Sequence, residues 1–326
     1  MAIAAIFEAM RESRFLADLT PYDRDARRLA VAVPVGVLAA VAAAVLGAAS
    51  ACLLVMVVVS GLDGAPAAAA LFAVFDQPAR AETEGLASLF LLSVLAGVNG
   101  AAALAFVAVS AGLSHRPIRG YAVVGGVFRT RLLVAGLVLV GAIMVALVIA
   151  AASLGAGAGA PTPPILALAS TSLGRATYAG FAIMLLVIAA AAEEIVFRGW
   201  LLKHAGAFTR SPVILMAVNG LLFALIHFDP NPGAFLIRAA MGAGLTWMTL
   251  RTGGIELAIG AHAANNIVIL LLLRPLSLTP EALHPFQLTS LVGAVGIGAG
   301  YALLAEAVVR WPIVTRWFGS RDTATI

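Results

Sequence analysis

The chain contains 326 residues, of which 62% are apolar and 11% are charged. An average soluble domain is about 45–50% apolar and about 25% charged, so this composition excludes a water-soluble globular enzyme, a disordered chain and a collagen. The one cysteine, Cys52, cannot form an intramolecular disulfide. The net charge of +4 comes with 20 basic residues, nearly all arginine, in short groups between apolar runs. Such scattered groups are typical of membrane-protein loops and argue against nucleic acid as a partner.

The apolar runs predict eight transmembrane helices, because a helix needs about 20 apolar residues to cross a bilayer. In chain order the runs are residues 29–59, 86–113, 132–160, 176–200, 212–227, 233–250, 255–273 and 286–309. The predicted fold is therefore an all-α integral membrane protein, a bundle of about eight transmembrane helices in a lipid bilayer.

Two further segments have an apolar pattern without the length to cross. Residues 1–28 are predicted to form an amphipathic segment that lies in the membrane interface. Its apolar residues recur at helical spacing among charged ones: Ile3, Ile6, Phe7 and Met10. The run 67–75 is too short to span and is expected to be interfacial or re-entrant.

The distribution of lysine and arginine predicts the orientation. With the N-terminus in the cytoplasm, 16 of the 20 basic residues fall on the cytoplasmic side and three, Arg80, Arg175 and Arg274, on the other. The positive-inside rule then places both termini in the cytoplasm. The preference for arginine over lysine, with abundant alanine and glycine, suggests a GC-rich bacterial genome, and the inner membrane of a bacterium is the expected location.

The fourth apolar run contains charged residues near its end, and each charge inside a bilayer costs at least about 2.5–3.5 kcal/mol. Glu194 and Arg198 lie one helical turn apart and are expected to form an ion pair. Glu193 points about 100° away from Glu194 around the helix, so it has no partner nearby in the sequence. An ion pair at the membrane boundary would explain Glu194 and Arg198 without any catalytic role.

Two later runs carry histidine and asparagine at one-turn spacing. Asn219, Phe223 and His227 share one helical face, and His262 and Asn266 share another. Taken singly, a terminal histidine is an ordinary interface residue, and a His/Asn pair is often a hydrogen-bonded link between helices. Taken with Glu193, the set supplies a carboxylate, an imidazole and oxyanion donors, which are the groups that peptide hydrolysis requires.

The expected depths of these side chains in the membrane agree. The fourth and fifth runs form a hairpin that turns near residues 205–210. At 1.5 Å per residue, Glu193 and His227 lie roughly 18 Å and 25 Å from that turn. Asn266 and His262 lie roughly 18 Å and 12 Å along the seventh run. The three runs can therefore bring their polar residues together.

These residues resemble the three motifs of the CPBP intramembrane protease family, which includes the Rce1-type CAAX prenyl endopeptidases and the bacterial Abi proteins. The motifs occur in the family's order, as Glu193-Glu194-x-x-x-Arg198, Phe223-x-x-x-His227 and His262-x-x-x-Asn266. The resemblance covers residues 176–274, and residues 1–175 carry no matching motif. It implies a helical bundle with a polar cavity inside the membrane.

The resemblance also implies roles for the motif residues. Glu193 is expected to be the general base and His227 its partner, while His262 and Asn266 stabilise the oxyanion. Glu194 and Arg198 would form a supporting pair. Asn219 is a further supporting residue, expected from its helical face to line the cavity and to hydrogen-bond a site group.

The apolar runs and the resemblance together divide the chain into four parts. Residues 1–28 are the interfacial segment, and residues 29–175 hold the first three transmembrane helices with their loops. Residues 176–274 form the Rce1-like catalytic core. Residues 275–326 hold the last transmembrane helix and a cytoplasmic tail.

The predicted function is an intramembrane endopeptidase whose partner is a peptide or protein substrate, lipidated or not. No cofactor is expected, but Glu193, His227 and His262 would also supply the ligands of a zinc site. The zinc-dependent version of the enzyme therefore stays open. So do two non-proteolytic alternatives, a transporter whose intramembrane charges relay protons and an immunity-type membrane protein.

Overall fold

The computed structural model describes residues 3–123, 125–154, 162–278 and 282–318, and these residues are arranged in helices and connecting loops. The principal helices are α1 Ile3–Arg11, α2 Ala26–Asp63, α3 Gly85–Leu113, α4 Thr130–Ser153, α5 Ser172–Phe208, α6 Pro212–Leu225, α7 Pro232–Thr252, α8 Glu256–Leu273, α9 Leu288–Arg310 and α10 Pro312–Trp317. Short helical turns occupy Arg14–Leu16, Pro21–Arg24, Ala65–Ala70, Ala73–Asp76, Arg80–Thr83, Ile118–Tyr121 and Pro164–Ala167.

Seven helices in the described part of the chain are long and apolar enough to cross a membrane: α2, α3, α4, α5, α7, α8 and α9. The expected count of about eight is not confirmed, because α6 has 14 residues and is only about 21 Å long. A bilayer core is about 30 Å thick. The apolar run extends to His227, but the helix stops at Leu225 and the backbone of Phe228 has a φ of 47°.

Other helix ends also differ from the apolar runs. The third run, 132–160, corresponds to α4, which ends at Ser153, and residues 155–160 of that run lie outside the described residues. The fourth run continues beyond Trp200 to Phe208. The turn between α5 and α6 therefore falls at residues 209–211, which agrees with the expected hairpin.

Helix α8 lies at the centre of the bundle. It packs against α4, α5 and α7, while α5 also contacts α3, and α7 also contacts α6 and α9. Every residue of Glu256–Val268 is buried except Asn266. By contrast, α2 packs on α3 and buries only Ala32, Gly36 and Val59. Its outer apolar side chains are exposed, as expected for a helix that faces lipid.

The contact between α4 and α8 is close enough to require glycine. A Cβ atom on Gly260 would lie 2.8 Å from the backbone nitrogen of Leu137, and nearer still to the Leu133 carbonyl oxygen. A Cβ atom on Gly136 would lie 2.6 Å from the backbone nitrogen of Ala261. Small residues let transmembrane helices approach in this way, and here the close approach fixes the helix that carries His262.

The N-terminal segment packs against the bundle, and its expected place in the membrane interface stays a prediction. Helix α1 is present, but Met10, Phe15 and Leu16 are fully buried. Their neighbours come from four helices and a turn: Leu202, Leu215, Leu250, Ile255 and Ile259. The pattern predicted an apolar face correctly, but it could not distinguish burial against lipid from burial against protein.

Ion pairs also connect the N-terminal segment to the bundle. The Arg116 guanidinium lies 2.7 Å from Asp18 and 2.8 Å from Asp23. The fully buried Lys203 ammonium lies 2.6 Å from the other oxygen of Asp18. Burial acts to raise the pKa of Asp23, but hydrogen bonds from Arg116 and Thr20 outweigh it and hold that pKa below its ordinary value. The carboxylate is thus ionised at neutral pH.

Substituting alanine for Gly260 tests the α4–α8 contact. The added methyl group has no space, so Gly260→Ala should lower the free energy of unfolding by about 1–3 kcal/mol. The control is Gly296→Ala in α9, where a Cβ atom meets nothing within 4 Å and where alanine favours the helix. Thermal unfolding of both variants in detergent micelles measures the difference. Equal melting temperatures would contradict the close contact.

Candidate active site

The motif residues of α5 lie where the helix changes its winding. The α-helical part ends at Glu194, and Ile195–Leu201 form a π-helical stretch before the α-helix resumes. Single π-helical turns inside α-helices occur frequently at functional sites. Here the wider turn carries Arg198 and leaves Glu193 and Glu194 at its beginning.

Glu194 and Arg198 form the predicted ion pair. The Arg198 Nη1 atom donates to Glu194 Oε1 over 2.9 Å, and both side chains are fully buried. The Nη2 atom donates to the Gly242 carbonyl of α7 over 3.0 Å. The guanidinium also lies over the ring of Phe223, 4.6 Å from its centroid. Arg198 thus joins α5 to α6 and α7 and neutralises a carboxylate in the interior.

His262 binds the same carboxylate from α8. Its Nδ1 atom lies 2.8 Å from Glu194 Oε1, so Glu194 accepts hydrogen bonds from both Arg198 and His262. A carboxylate paired with arginine acts as an acceptor, so Nδ1 carries the proton. The other ring nitrogen, Nε2, lies 3.8 Å from Glu193 Oε2. His262 therefore stands between the two glutamates.

Glu193 has one free carboxylate oxygen. Its Oε1 atom accepts a hydrogen bond from Asn99 Nδ2 of α3 over 3.4 Å. Its Oε2 atom is buried and has no hydrogen-bond partner in the described part of the chain. Asn99 was missed from the sequence, although a signal was available, since it is the one asparagine in the apolar run 86–113.

His227 lies at the edge of this group. Its Nδ1 atom lies 2.7 Å from the Phe223 carbonyl oxygen, to which it donates, so a neutral ring presents Nε2 as an acceptor. The Phe223 ring contacts both histidines, with centroid distances of 4.8 Å to His227 and 5.6 Å to His262. His227 is exposed. Its expected pairing with Glu193 is not a direct hydrogen bond, because the Phe223 carbonyl takes the one ring proton.

Asn266 follows His262 by one helical turn and is the half-buried residue of α8 described above. Its Oδ1 atom accepts a hydrogen bond from Asn265 Nδ2 over 3.1 Å. That bond leaves the amide hydrogens of Asn266 directed away from Asn265. Asn265 was not among the predicted site residues, although the asparagine doublet in a transmembrane helix is a visible signal.

Asn219 does not make the expected hydrogen bond to a site residue. Its Nδ2 atom donates to the Leu215 carbonyl, four residues earlier in α6, over 3.1 Å. Its Oδ1 atom is buried without a partner among the described residues. An asparagine within a helix readily donates to the carbonyl one turn earlier. The position of Asn219 on the same face as His227 therefore did not determine its hydrogen-bond partner.

The residues do not fit a zinc site. Within the described ranges, no group of three histidine, cysteine, aspartate or glutamate side chains lies close enough to hold a metal ion. Glu193, His227 and His262 were the candidate ligands, and the Nδ1 atoms of the two histidines bond the Phe223 carbonyl and Glu194, which leaves the Nε2 atoms as the only ring nitrogens that could bind a metal. Zinc sites need ligands at about 2.0–2.2 Å from one point.

Comparison with known proteins gives a family match for the part of the chain that carries the three motifs. Residues 175–268 match the model of the Rce1-like family, described as type II CAAX prenyl endopeptidase Rce1-like. The resemblance drawn from the three motifs is thereby confirmed for this segment, and it is consistent with the CPBP family.

One relative is a Bacillus subtilis (strain 168) protein described as uncharacterized protein YyaK. It is 39% identical over 94 residues, which cover 27% of this chain and 31% of the relative. The match therefore spans under a third of either protein. No solved structure matches the chain.

The buried ion pair is tested by removing one or both charges. Arg198→Met leaves Glu194 as a buried carboxylate without its guanidinium and should destabilise the protein by about 3–5 kcal/mol. The double variant Glu194→Gln/Arg198→Met removes both charges and should recover part of that loss. Thermal unfolding in micelles gives the comparison. A double variant no more stable than Arg198→Met alone would contradict the pairing.

Proposed function

We propose that this protein is an intramembrane endopeptidase that hydrolyses a peptide bond with a water molecule activated by Glu193. The observation that carries the proposal is the buried, unpartnered Oε2 atom of Glu193, 3.8 Å from the His262 ring, within the Rce1-like segment. A carboxylate oxygen without a protein partner in an apolar bundle is a suitable acceptor for a proton of water.

Two acceptors can orient the attacking water. Glu193 Oε2 takes one hydrogen, and His227 Nε2, bare because Nδ1 donates to Phe223, takes the other. The water oxygen then attacks the carbonyl carbon while its proton moves to Glu193.

The negative charge that develops on the carbonyl oxygen needs donors. Asn266 supplies an amide N–H, since its own oxygen is occupied by Asn265. His262 can donate through Nε2 only with a proton on each nitrogen, because Nδ1 already donates to Glu194. Glu194 and Arg198 then hold the ring in place.

The tetrahedral intermediate collapses when the carbon–nitrogen bond breaks. Glu193 returns its proton to the departing amine nitrogen, so it acts first as base and then as acid. The products are a carboxylic acid and an amine, which together hold both hydrogens of the water, and the site returns to its starting protonation. All proton transfers use groups of this chain and one water.

The proposed substrate is a peptide or protein that reaches the bundle from the bilayer, with or without an attached lipid. The proposed location is the inner membrane of a bacterium, with both termini in the cytoplasm. The excess of basic residues in the expected cytoplasmic loops supports this orientation.

Glu193→Gln tests the proposed base. Glutamine keeps the size of the side chain and can accept a hydrogen bond but cannot take the proton, so cleavage should slow at least about 100-fold. The assay uses purified protein in micelles with an internally quenched CAAX-type peptide, supplied both with and without a farnesyl group on its cysteine.

The control is Glu194→Gln, which should lower the melting temperature because it weakens the bonds to Arg198 and His262. Glu193→Gln should keep the melting temperature of the wild type. Unchanged cleavage by Glu193→Gln would remove Glu193 from the mechanism. Failure of the wild type to cleave either peptide would count against a CAAX-type specificity.

Metal analysis separates the proposed mechanism from the zinc-dependent alternative. Protein purified without chelators should contain well under one zinc per chain, and a chelator should leave its cleavage rate unchanged, because no three possible ligands lie close together in the described part of the chain. The measurement is elemental analysis together with the peptide assay. About one zinc per chain, with activity lost on chelation and restored by zinc, would overturn the metal-free mechanism.

A further inference from the structure

The carboxylate of Glu193 accepts a hydrogen bond from Asn99, a residue outside the Rce1-like segment. Asn99 lies at the midpoint of α3, in the part of the chain where no family model matches. An amide group at that depth needs a hydrogen-bond partner, because the surrounding hydrocarbon offers none. Among the described residues, its Nδ2 atom donates a hydrogen bond to Glu193 Oε1 over 3.4 Å.

Other contacts between α3 and α5 hold the two residues in register. Ser88 and Tyr178 are hydrogen-bonded over 3.0 Å on one side of the Asn99–Glu193 contact. Phe106 and Trp200 pack edge to face on the other side, with ring centroids 4.7 Å apart. The two helices therefore run in the same direction and are fixed at both ends of the segment that contains Asn99.

Helix α2 supports α3 from the opposite side. A Cβ atom on Gly47 would lie 2.8 Å from the Cβ atom of Ala101, and nearer still to the Gly97 carbonyl oxygen. Backbones that approach this closely leave α3 little freedom to shift. The support lies two residues on either side of Asn99.

We propose that Asn99 is a positioning residue for the proposed base: its amide holds Glu193 Oε1 so that Oε2 faces the attacking water. This inference rests on the proposed function. The two carboxylate oxygens are differently placed, since Oε1 meets Asn99 and Oε2 is buried without a partner. Asn99 thus decides which oxygen of Glu193 is available and in which direction it points.

The experiment compares three variants at Asn99 with a control in the same helix. Asn99→Leu removes the donor, and Asn99→Ser shortens the side chain so that it bonds its own helix instead. Both should lower kcat about tenfold, the size of one hydrogen bond to a charged group, with KM within about twofold of the wild type. Asn99→Gln keeps the amide and should recover at least part of the loss.

The control is Ser93→Ala, which removes a hydroxyl that bonds the Leu89 carbonyl of its own helix over 2.8 Å. It should keep the wild-type kcat, KM and melting temperature. If Asn99→Leu fails to fold, Asn99→Ser still tests the loss of the hydrogen bond to Glu193. An unchanged kcat in Asn99→Ser, or a loss that Asn99→Gln does not reduce, would overturn the inference.

Cleavage by the wild-type protein is measured first, so that two failures stay distinct. If the wild type cleaves neither peptide, the CAAX-type specificity fails, and the comparison of the Asn99 variants moves to a membrane peptide that accumulates in Glu193→Gln cells; if no peptide accumulates there, the proposed function fails and the positioning role fails with it. If the wild type cleaves and Glu193→Gln does not, while the Asn99 variants keep full kcat, only the positioning role fails.

Discussion

One oxygen atom, Oε1 of Glu194, is the meeting point on which the centre of this protein depends. It accepts hydrogen bonds from Arg198 of its own helix and from His262 of α8. Arg198 in turn binds the Gly242 carbonyl of α7. A buried carboxylate without such donors would cost several kcal/mol. The hydrogen bonds that offset the cost of burying Glu194 therefore also hold α5, α7 and α8 together at the level of the proposed base.

This arrangement separates two adjacent glutamates that have the same chemistry. Each glutamate has one buried oxygen without a partner among the described residues, but the other oxygen of Glu194 bonds the Arg198 guanidinium and His262, whereas that of Glu193 bonds only the neutral amide of Asn99. Their difference arises from position on the helix, since consecutive residues point about 100° apart. One glutamate can then serve the structure and leave the other for the proposed chemistry.

Local spacing in the sequence predicted part of the site well. The Glu194–Arg198 pair follows from one helical turn, and the meeting of the three motif helices follows from matching depths. The bond from His262 to Glu194 and the contact of Asn99 with Glu193 could not be predicted, because both depend on how distant helices are rotated. The lengths of the apolar runs predicted the long helices correctly. They overestimated the length of α6, because a run of apolar residues does not reveal where the backbone turns. The burial of Phe15 and Leu16 could not be predicted either, because it depends on how the N-terminal segment packs against the bundle, and the apolar spacing of that segment does not reveal this.

The burial of α8 on nearly every side has a consequence for how the chain is built into the membrane. Glu256, His262 and Asn265 are all buried in this one helix, so an isolated α8 would enter lipid at considerable cost. Its neighbours α4, α5 and α7 precede it in the chain and are synthesised first. The groups that satisfy α8, among them Arg129 for Glu256 and Glu194 for His262, are then already in the membrane when it arrives. Insertion of this helix is thus a step of tertiary assembly, and the order of the chain supplies its partners in advance.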